Sequence, residues 1–488
     1  MADSVHSAQQ AFMLYAEGHI AEALAVAEHC LAAAPDAALL NLAAICCMQR
    51  GEMAQASLYW QRVLSLGPPD PAVLNLAAVC QMELGNLTEA RSCWQQAIAL
   101  QPDQVDAHYN LGHLWQAMQQ FDAAEAAFRQ ALHLRPDHAE AHCHLGTLLY
   151  KQKRFVAAEA AYRQALHLQP DHAEAQWRLG VLCLALGRWR EGWSWYEARH
   201  TSNQEGARPA YIDVPFPRWQ GEDLAGKSLL LVAEQGLGDQ IQFCRYAATL
   251  HARRVERLTL VCAAPLAALF ATLAGVDQVL VQNEAGDYPP HDYWILYLSV
   301  PFCLGTTEES IPDRIPYLTP PADRLSAWGD RVPATGFRVG LVWQGNLLNR
   351  PGRDRSLPSL AVLAPLWSVP GVCFVSLQKG DGEAEAKQPP PDQPLLDWGD
   401  SIRDFADTAA LVAHLDLVIT IDSAVAHLAG ALGKPCWVML PAWGTDWRWL
   451  QDRTDSPWYP GILRLFRQTR SGEWSSVVQQ VAAELARR

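Results

Sequence analysis

Five short clusters in the second half of this 488-residue chain gather residue types that bind and move charge: EQGLGDQ (234–240), WQGNLLNRPGRDRS (343–356), QKGDG (378–382), DSAVAH (422–427) and PAWGTDWRW (441–449). Glycine-rich loops that open onto helices turn backbone N–H groups and the positive end of the helix dipole toward one point, the usual way to hold a phosphate. The expected ligand is an anion, a phosphorylated sugar or a nucleotide. Arg355, with Arg353 beside it, carries a guanidinium fork suited to phosphate oxygens, although a solvated loop arginine is the plainer reading. Gln344, Gly345 and Asn346 directly follow an apolar run and can line the same cleft, and Lys379 is a third cation at such a position, or an ordinary surface lysine. Asp422 and Ser423 open a helix whose first turn, including Ala424, would aim N–H groups at a diphosphate, with His427 one turn on along the same side. The plainer alternatives are a helix cap and a core histidine.

Asp239 follows the turn Gly236-Leu237-Gly238, where an aspartate also serves as a helix cap. A dinucleotide fingerprint is the weaker rival there, because Ile241 stands where the third glycine should be. No D-x-D pair lies near a strand end, so a divalent-metal phosphate clamp has no obvious ligands. Metal-independent chemistry without a resident cofactor is expected. Asp446 and Arg448 can form a structural ion pair or touch the ligand. The tryptophans around them, 437, 443, 447, 449 and 458, are mostly core candidates.

These clusters sit at the ends of apolar runs. SLLLVA, LTLVC, QVLV and YWILYL, then FRVGLVW, VCFVSL, LDLVITI and PCWVML, alternate with helical patterns from Lys227 onward, which is the pattern of βαβ units and parallel sheets. Ligands of such sheets bind beyond the carboxyl ends of the strands. The Pro-rich stretch 311–336 divides the array into two doubly wound halves, with a hinge and a cleft expected between them.

The first two hundred residues read differently. Prolines 68, 102, 136 and 170 recur every 34 residues, as do Gly51, Gly85, Gln119, Lys153 and Gly187. Ala56, Ala90, Ala124, Ala158 and Gly192 recur in phase, with Trp60, Trp94, Phe128, Tyr162 and Tyr196 four positions later. Each unit is a pair of helices: proline ends one, aspartate caps the next, and small residues let the pair approach. Five or six units fit between residues 4 and 200, the first the most degenerate. Stacked pairs leave a concave face suited to an extended polypeptide, so the partner expected on the repeat groove is a protein or peptide. Twelve of the 16 histidines lie in this half. His138, His142 and His144 could chelate a metal, but His138 and His172 are one repeat position used twice, which favours a structural reading.

Composition narrows the classes. Half the residues are apolar and 18% are charged, as in an ordinary folded protein. The formal charge of -14 argues against a nucleic-acid partner. No run of 18 apolar residues occurs and the first residues lack a secretory pattern, so a cytoplasmic protein without a membrane span is expected. The 12 cysteines include no C-x-x-C pair and read as reduced core fillers.

The repeats, with Asn110, Leu111, Gly112, Ala124 and Phe128 in place, resemble tetratricopeptide repeats. GLGDQIQFCRY (236–246), VGLVWQGN with RDRS (339–346, 353–356) and IDSAVAHLAGALGKPCWVMLP (421–441), followed by DWRW and SPWYP, resemble glycosyltransferase family 9, the ADP-heptose heptosyltransferases. The resemblance implies an α solenoid followed by a GT-B fold, two Rossmann-like domains facing a cleft. The expected organisation is a repeat solenoid over 4–200, a linker over 201–226, an acceptor-side domain over 227–335 and a nucleotide-sugar domain over 336–488. It further implies an inverting glycosyltransferase that takes a nucleotide-diphosphate sugar as substrate and modifies a protein. Asp239 would be the base, Arg355 would face the donor phosphates, and Ser423, Ala424 and His427 would contact the donor. Gly236, Gly238, Gln344, Asn346, Lys379 and Asp422 complete the expected donor site. The LLNRPGR insertion and the short first α/β half depart from the family, which leaves the donor open. A scaffold with a degenerate transferase half and a nucleotide-sugar epimerase or hydrolase are the alternatives. Repeat solenoids often dimerise, and a homodimer is compatible with the sequence.

Overall fold

The computed structural model describes residues 2–201, 214–282, 288–348 and 350–488. Most of the polar stretch 201–209, the expected start of the linker, and Asn349 of the LLNRPGR insertion lie outside the described residues. The chain divides into two compact units, residues 1–172 and 173–488. An α-helical tetratricopeptide solenoid is followed by parallel-sheet α/β structure. No described helix is long and apolar enough to cross a membrane.

In the first unit, helices pack in consecutive pairs: α1 (Ala2–Ala16) with α2 (Ile20–Ala33), α3 (Ala37–Gln49) with α4 (Met53–Leu66), α5 (Pro71–Glu83) with α6 (Leu87–Leu100), α7 (Val105–Ala117) with α8 (Phe121–Leu134), and α9 (Ala139–Lys151) with α10 (Phe155–Leu168). The in-phase alanines 56, 90, 124 and 158 are fully buried, and the rings of Trp60, Trp94, Phe128 and Tyr162 are shut away from water. Close approach is obligatory at Gly112, where a Cβ would stand 2.7 Å from the Phe128 ring. The recurring turn position takes a left-handed backbone each time, with φ of 77° at Gly51, 79° at Gly85, 59° at Gln119 and 60° at Lys153. The last two do so at a cost of about 1 kcal/mol each.

The expectation that aspartate caps each first helix needs correction. Asp36 accepts from Leu39 N at 2.9 Å and Asp70 from Ala72 N at 2.7 Å. The same repeat position is Gln104 in α7 and His138 in α9, and neither side chain caps. There the aspartate has moved one residue upstream, out of capping register. His108 and His142 instead pair through Nε2 with the carbonyls of Pro102 and Pro136, at 2.9 and 3.0 Å.

The second unit begins with one more helical pair, α11 (Ala173–Ala185) and α12 (Trp189–Tyr196). A Cβ on Gly180 would lie 2.5 Å from the backbone nitrogen of Tyr196, an atom that cannot rotate aside. Gly180→Ala is therefore expected to lose about 1–3 kcal/mol through overpacking, read as a lower urea midpoint at constant slope. Trp189, Trp193 and Tyr196 of this pair join an aromatic core: Trp193 meets Trp447 at 5.2 Å and Trp189 meets Trp458 at 5.5 Å between ring centroids.

Two parallel sheets follow. The first, in order β3-β2-β1-β4, is built from β1 (Ser228–Val232), β2 (Arg257–Cys262), β3 (Gln278–Val281) and β4 (Tyr293–Leu296). The second, in order β6-β5-β7-β8-β9, is built from β5 (Phe337–Val342), β6 (Val372–Ser376), β7 (Leu417–Ile421), β8 (Cys436–Leu440) and β9 (Leu463–Arg467). Every ladder among the described strands is parallel, and the central strands are buried apolar runs, as crossover connections require, while the edge strands β3 and β9 are partly exposed. The strand order reverses beside β1 and beside β5, which puts a crevice at the carboxyl end of each. The Pro-rich stretch lies along the second half, with Tyr317 N donating to Ala431 O at 3.0 Å and Trp328 Nε1 to Asp407 at 3.2 Å. Eight of the 12 cysteines are buried, and burial pushes the Cys262 thiol up to about 12.

Candidate functional site

The loops beyond β1, β5, β6, β7 and β8 line a single cleft of about 790 Å³. All eleven residues singled out in the sequence border it: Gly236, Gly238, Asp239, Gln344, Asn346, Arg355, Lys379, Asp422, Ser423, Ala424 and His427.

The chain leaves β1 through Glu234 and Gln235, the latter at a left-handed φ of 59°, and enters α13 (Leu237–Phe243). Asp239 Oδ2 accepts from Gly236 N at 2.8 Å, so the aspartate does close the helix start. Its other oxygen accepts from Arg448 Nη2 at 2.5 Å. Burial pushes this carboxyl up from its ordinary value, against the pull of Arg448 and the Gly236 N–H. The glycine at 238 is required by packing: a Cβ there would stand 2.9 Å from His427 Cδ2 and 3.3 Å from Ala424 Cα.

Arg448 is the centre of the polar wall of the cleft. It is buried, donates to both oxygens of Asp446 at 2.9 and 3.0 Å, and reaches Gln242 Oε1 at 2.7 Å as well as Asp239. It thus ties the loop after β8 to α13, and its guanidinium lies over the Trp447 ring at 4.3 Å. Asp446 and Arg448 are at once an ion pair and part of the cleft wall.

Across the cleft, the helix Ala424–Ala431 starts after β7. Ser423 is its N-cap, yet its hydroxyl pairs with Thr420 Oγ1 at 2.8 Å and does not cap. Asp422 faces Arg355 at 3.6 Å; burial raises its carboxyl pKa and Arg355 opposes the rise. Arg355 Nε is buried and has no hydrogen-bond partner among the described residues. His427 pairs through Nδ1 with the Tyr459 hydroxyl at 3.0 Å and stacks on Trp449. Burial, with Arg448, Arg245 and Arg355 nearby, holds its pKa well below the ordinary value, so it is neutral at pH 7.

Two of the expected residues are engaged elsewhere. The Gln344 amide donates to the carbonyls of Leu357 and Pro358, at 3.4 and 3.3 Å. Lys379 Nζ is taken by Glu383 at 2.8 Å and by Gly399 O at 2.9 Å, which leaves it little free charge for a ligand. Phe405 and Thr408, at the start of a helix capped by Asp404, complete the wall. They do not follow an apolar run directly, so the reading of strand ends passes over them; the signal available for that region is the N-cap aspartate Asp404 with Arg403 and Asp407.

Family models match the chain in three places: "Tetratricopeptide repeat" over 116–171 and 155–199, "TPR repeat" over 81–119, and "Glycosyltransferase family 9 (heptosyltransferase)" over 403–437. The last span holds Phe405, Thr408, Asp422, Ser423, Ala424 and His427. Among curated proteins, Protein FlbA of Caulobacter vibrioides is 32% identical over 329 residues, covering 62% of this chain and 53% of FlbA. The chain thus spans about half the length of this relative. Among solved structures, YrrB, described as a TPR protein with an unusual peptide-binding site, is 19% identical with a TM-score of 0.32 over 35% of this chain and 88% of YrrB. A thermophilic TPR protein of Thermus thermophilus is 23% identical with a TM-score of 0.32 over 37% of this chain and 99% of its own. The chain carries tetratricopeptide repeats and, behind them, a family 9-like glycosyltransferase segment.

Proposed function

We propose that this chain is a cytoplasmic, inverting glycosyltransferase of GT-B type that moves a sugar from a nucleotide-diphosphate donor to a protein held on the repeats, without a metal. The observation that carries the reading is the convergence of Asp239, Arg355, Ser423 and His427 from two parallel sheets on one cleft. Inverting transfer needs a base for the acceptor hydroxyl and donors for the departing diphosphate. Asp239 takes the hydroxyl proton as the acceptor oxygen attacks the anomeric carbon, and the bond from that carbon to the diphosphate breaks. Arg355 and the first N–H groups of the helix Ala424–Ala431 face the leaving diphosphate. His427, being neutral, donates or accepts without adding charge.

A second reading, a binding scaffold with an idle transferase half, draws on the double engagement of Asp239 by Gly236 and Arg448. Thermal shift with ADP, GDP, UDP and CDP tests the first reading. One of these is expected to raise the melting temperature with the logarithm of its concentration above Kd, worth about 2.7 kcal/mol at a hundredfold excess over Kd, and Arg355→Ala should abolish the shift. No shift with any of the four sinks the reading and leaves the scaffold.

A further inference from the structure

Outside the lining of the cleft, Glu234 and Arg199 form an ion pair in which both side chains are closed off from water. Arg199 follows α12, in the last helical pair, and Glu234 directly precedes the loop that carries Asp239. The contact is a two-pronged fork, with Nε to Oε2 at 3.0 Å and Nη2 to Oε1 at 2.9 Å. Glu234 Oε1 also accepts from Leu298 N at 2.9 Å. Arg199 is held in turn by Glu197 at 2.6 Å and Ser299 at 2.7 Å, while Arg218 pairs with Glu197 from the far side. The next loop residue, Gln235, donates from Nε2 to the Tyr196 hydroxyl at 3.3 Å. Glu234 and the first loop residue, Gln235, are thus gripped by the last helical pair and the turn Glu197–His200 that continues it.

An ion pair in this setting is an expensive way to gain stability, since apolar residues of like volume often do as well or better. What a fork supplies is direction: it fixes the rotation of the strand end in a way that apolar packing does not. Gln235 meanwhile holds a left-handed backbone that a side-chain-bearing residue keeps only when its surroundings enforce it.

We propose that Arg199 and Tyr196 are positioning residues for the proposed transfer reaction, setting the Gln235–Asp239 loop from the last helical pair, so that this pair belongs to the catalytic apparatus as well as to the repeat series. The inference rests on the transferase reading. The fork aims the loop at the cleft and Tyr196 holds Gln235 in its left-handed turn. The base and the glycine turn before it are thereby placed against the cations across the cleft.

The test uses the full chain and the double variant Arg199→Met with Glu234→Gln. It removes both charges together, keeps an acceptor for Leu298 N, and leaves Glu197 paired with Arg218. The probes are ADP, GDP, UDP and CDP, with binding measured by calorimetry and stability by denaturant titration. The expected result is a stability close to wild type together with a loss of about tenfold or more in affinity for the nucleotide that wild type binds, as a displaced wall of a preorganised site implies. Tyr196→Phe, which removes one hydroxyl, should weaken the same nucleotide by a smaller factor. A double variant that is unstable yet binds as wild type at low temperature would show a purely structural pair and overturn the proposal, as would a stable variant with unchanged affinity. If wild type binds none of the four nucleotides, the transferase reading itself has failed and the positioning role falls with it.

Discussion

Asp239→Asn should reduce sugar transfer by two to four orders of magnitude, the usual span for removing a general base, while nucleotide affinity stays within a few-fold of wild type. The asparagine keeps an oxygen for the Gly236 N–H, so α13 still starts in place. It cannot accept the acceptor proton. The measurement is release of nucleoside diphosphate from the sugar ester of whichever nucleotide wild type binds, with and without protein acceptor. Equal turnover in variant and wild type would remove Asp239 from the chemistry and leave it as a helix cap.

The largest expected loss of stability is at Arg448. It is 4% exposed in a setting where Asp239 and Asp446 both depend on it. Arg448→Met removes the buried cation and leaves two partly buried carboxylates facing each other, and breaking such a pair from one side costs up to about 3–5 kcal/mol. Adding Asp239→Asn and Asp446→Asn to the same variant should recover most of that, because the stranded charges go with their partner. The pH dependence has a defined sign. With Arg448 gone, burial and the charges of Asp446 and Glu234 are opposed only by the Gly236 N–H, so the folded-state pKa of Asp239 rises further above the unfolded value and the folded state takes up protons first as pH falls. The deficit should narrow between pH 7 and pH 5, in denaturant titrations at each pH. A deficit independent of pH and unmoved by the two asparagines would mean that lost packing on Trp447 and Phe243 is responsible.

Periodicity carried most of the architecture. The eight apolar runs correspond to β1 through β8, and the 34-residue phase to the helical pairs. β9 is not among these runs because it is an edge strand with arginines at both Arg464 and Arg467, so LRLFR lacks the continuous apolar character of strands buried on both faces. The eleven candidate residues converge because each lies in the loop or helix that follows the carboxyl end of a parallel strand, a consequence of topology. What each side chain touches was not legible. The Lys379 charge is spent on Glu383, four residues on, and the Gln344 amide on carbonyls of the following segment. The Asp446–Arg448 ion pair is one of two local readings, but the other partners of Arg448, Asp239 and Gln242, lie some two hundred residues away, beyond the reach of any local pattern.

The ring-on-ring packing of Trp189, Trp193 and Tyr196 against Trp447 and Trp458 bears on how such a chain can change over evolutionary time. Tandem arrays ordinarily lengthen and shorten by whole modules, since each module meets only its neighbours. Here the final module has been annexed by a different fold and supplies part of its interior. Duplication or deletion can therefore proceed freely only ahead of Ala173; losing the pair beyond that point would strip the enzyme-like half of a wall it cannot replace.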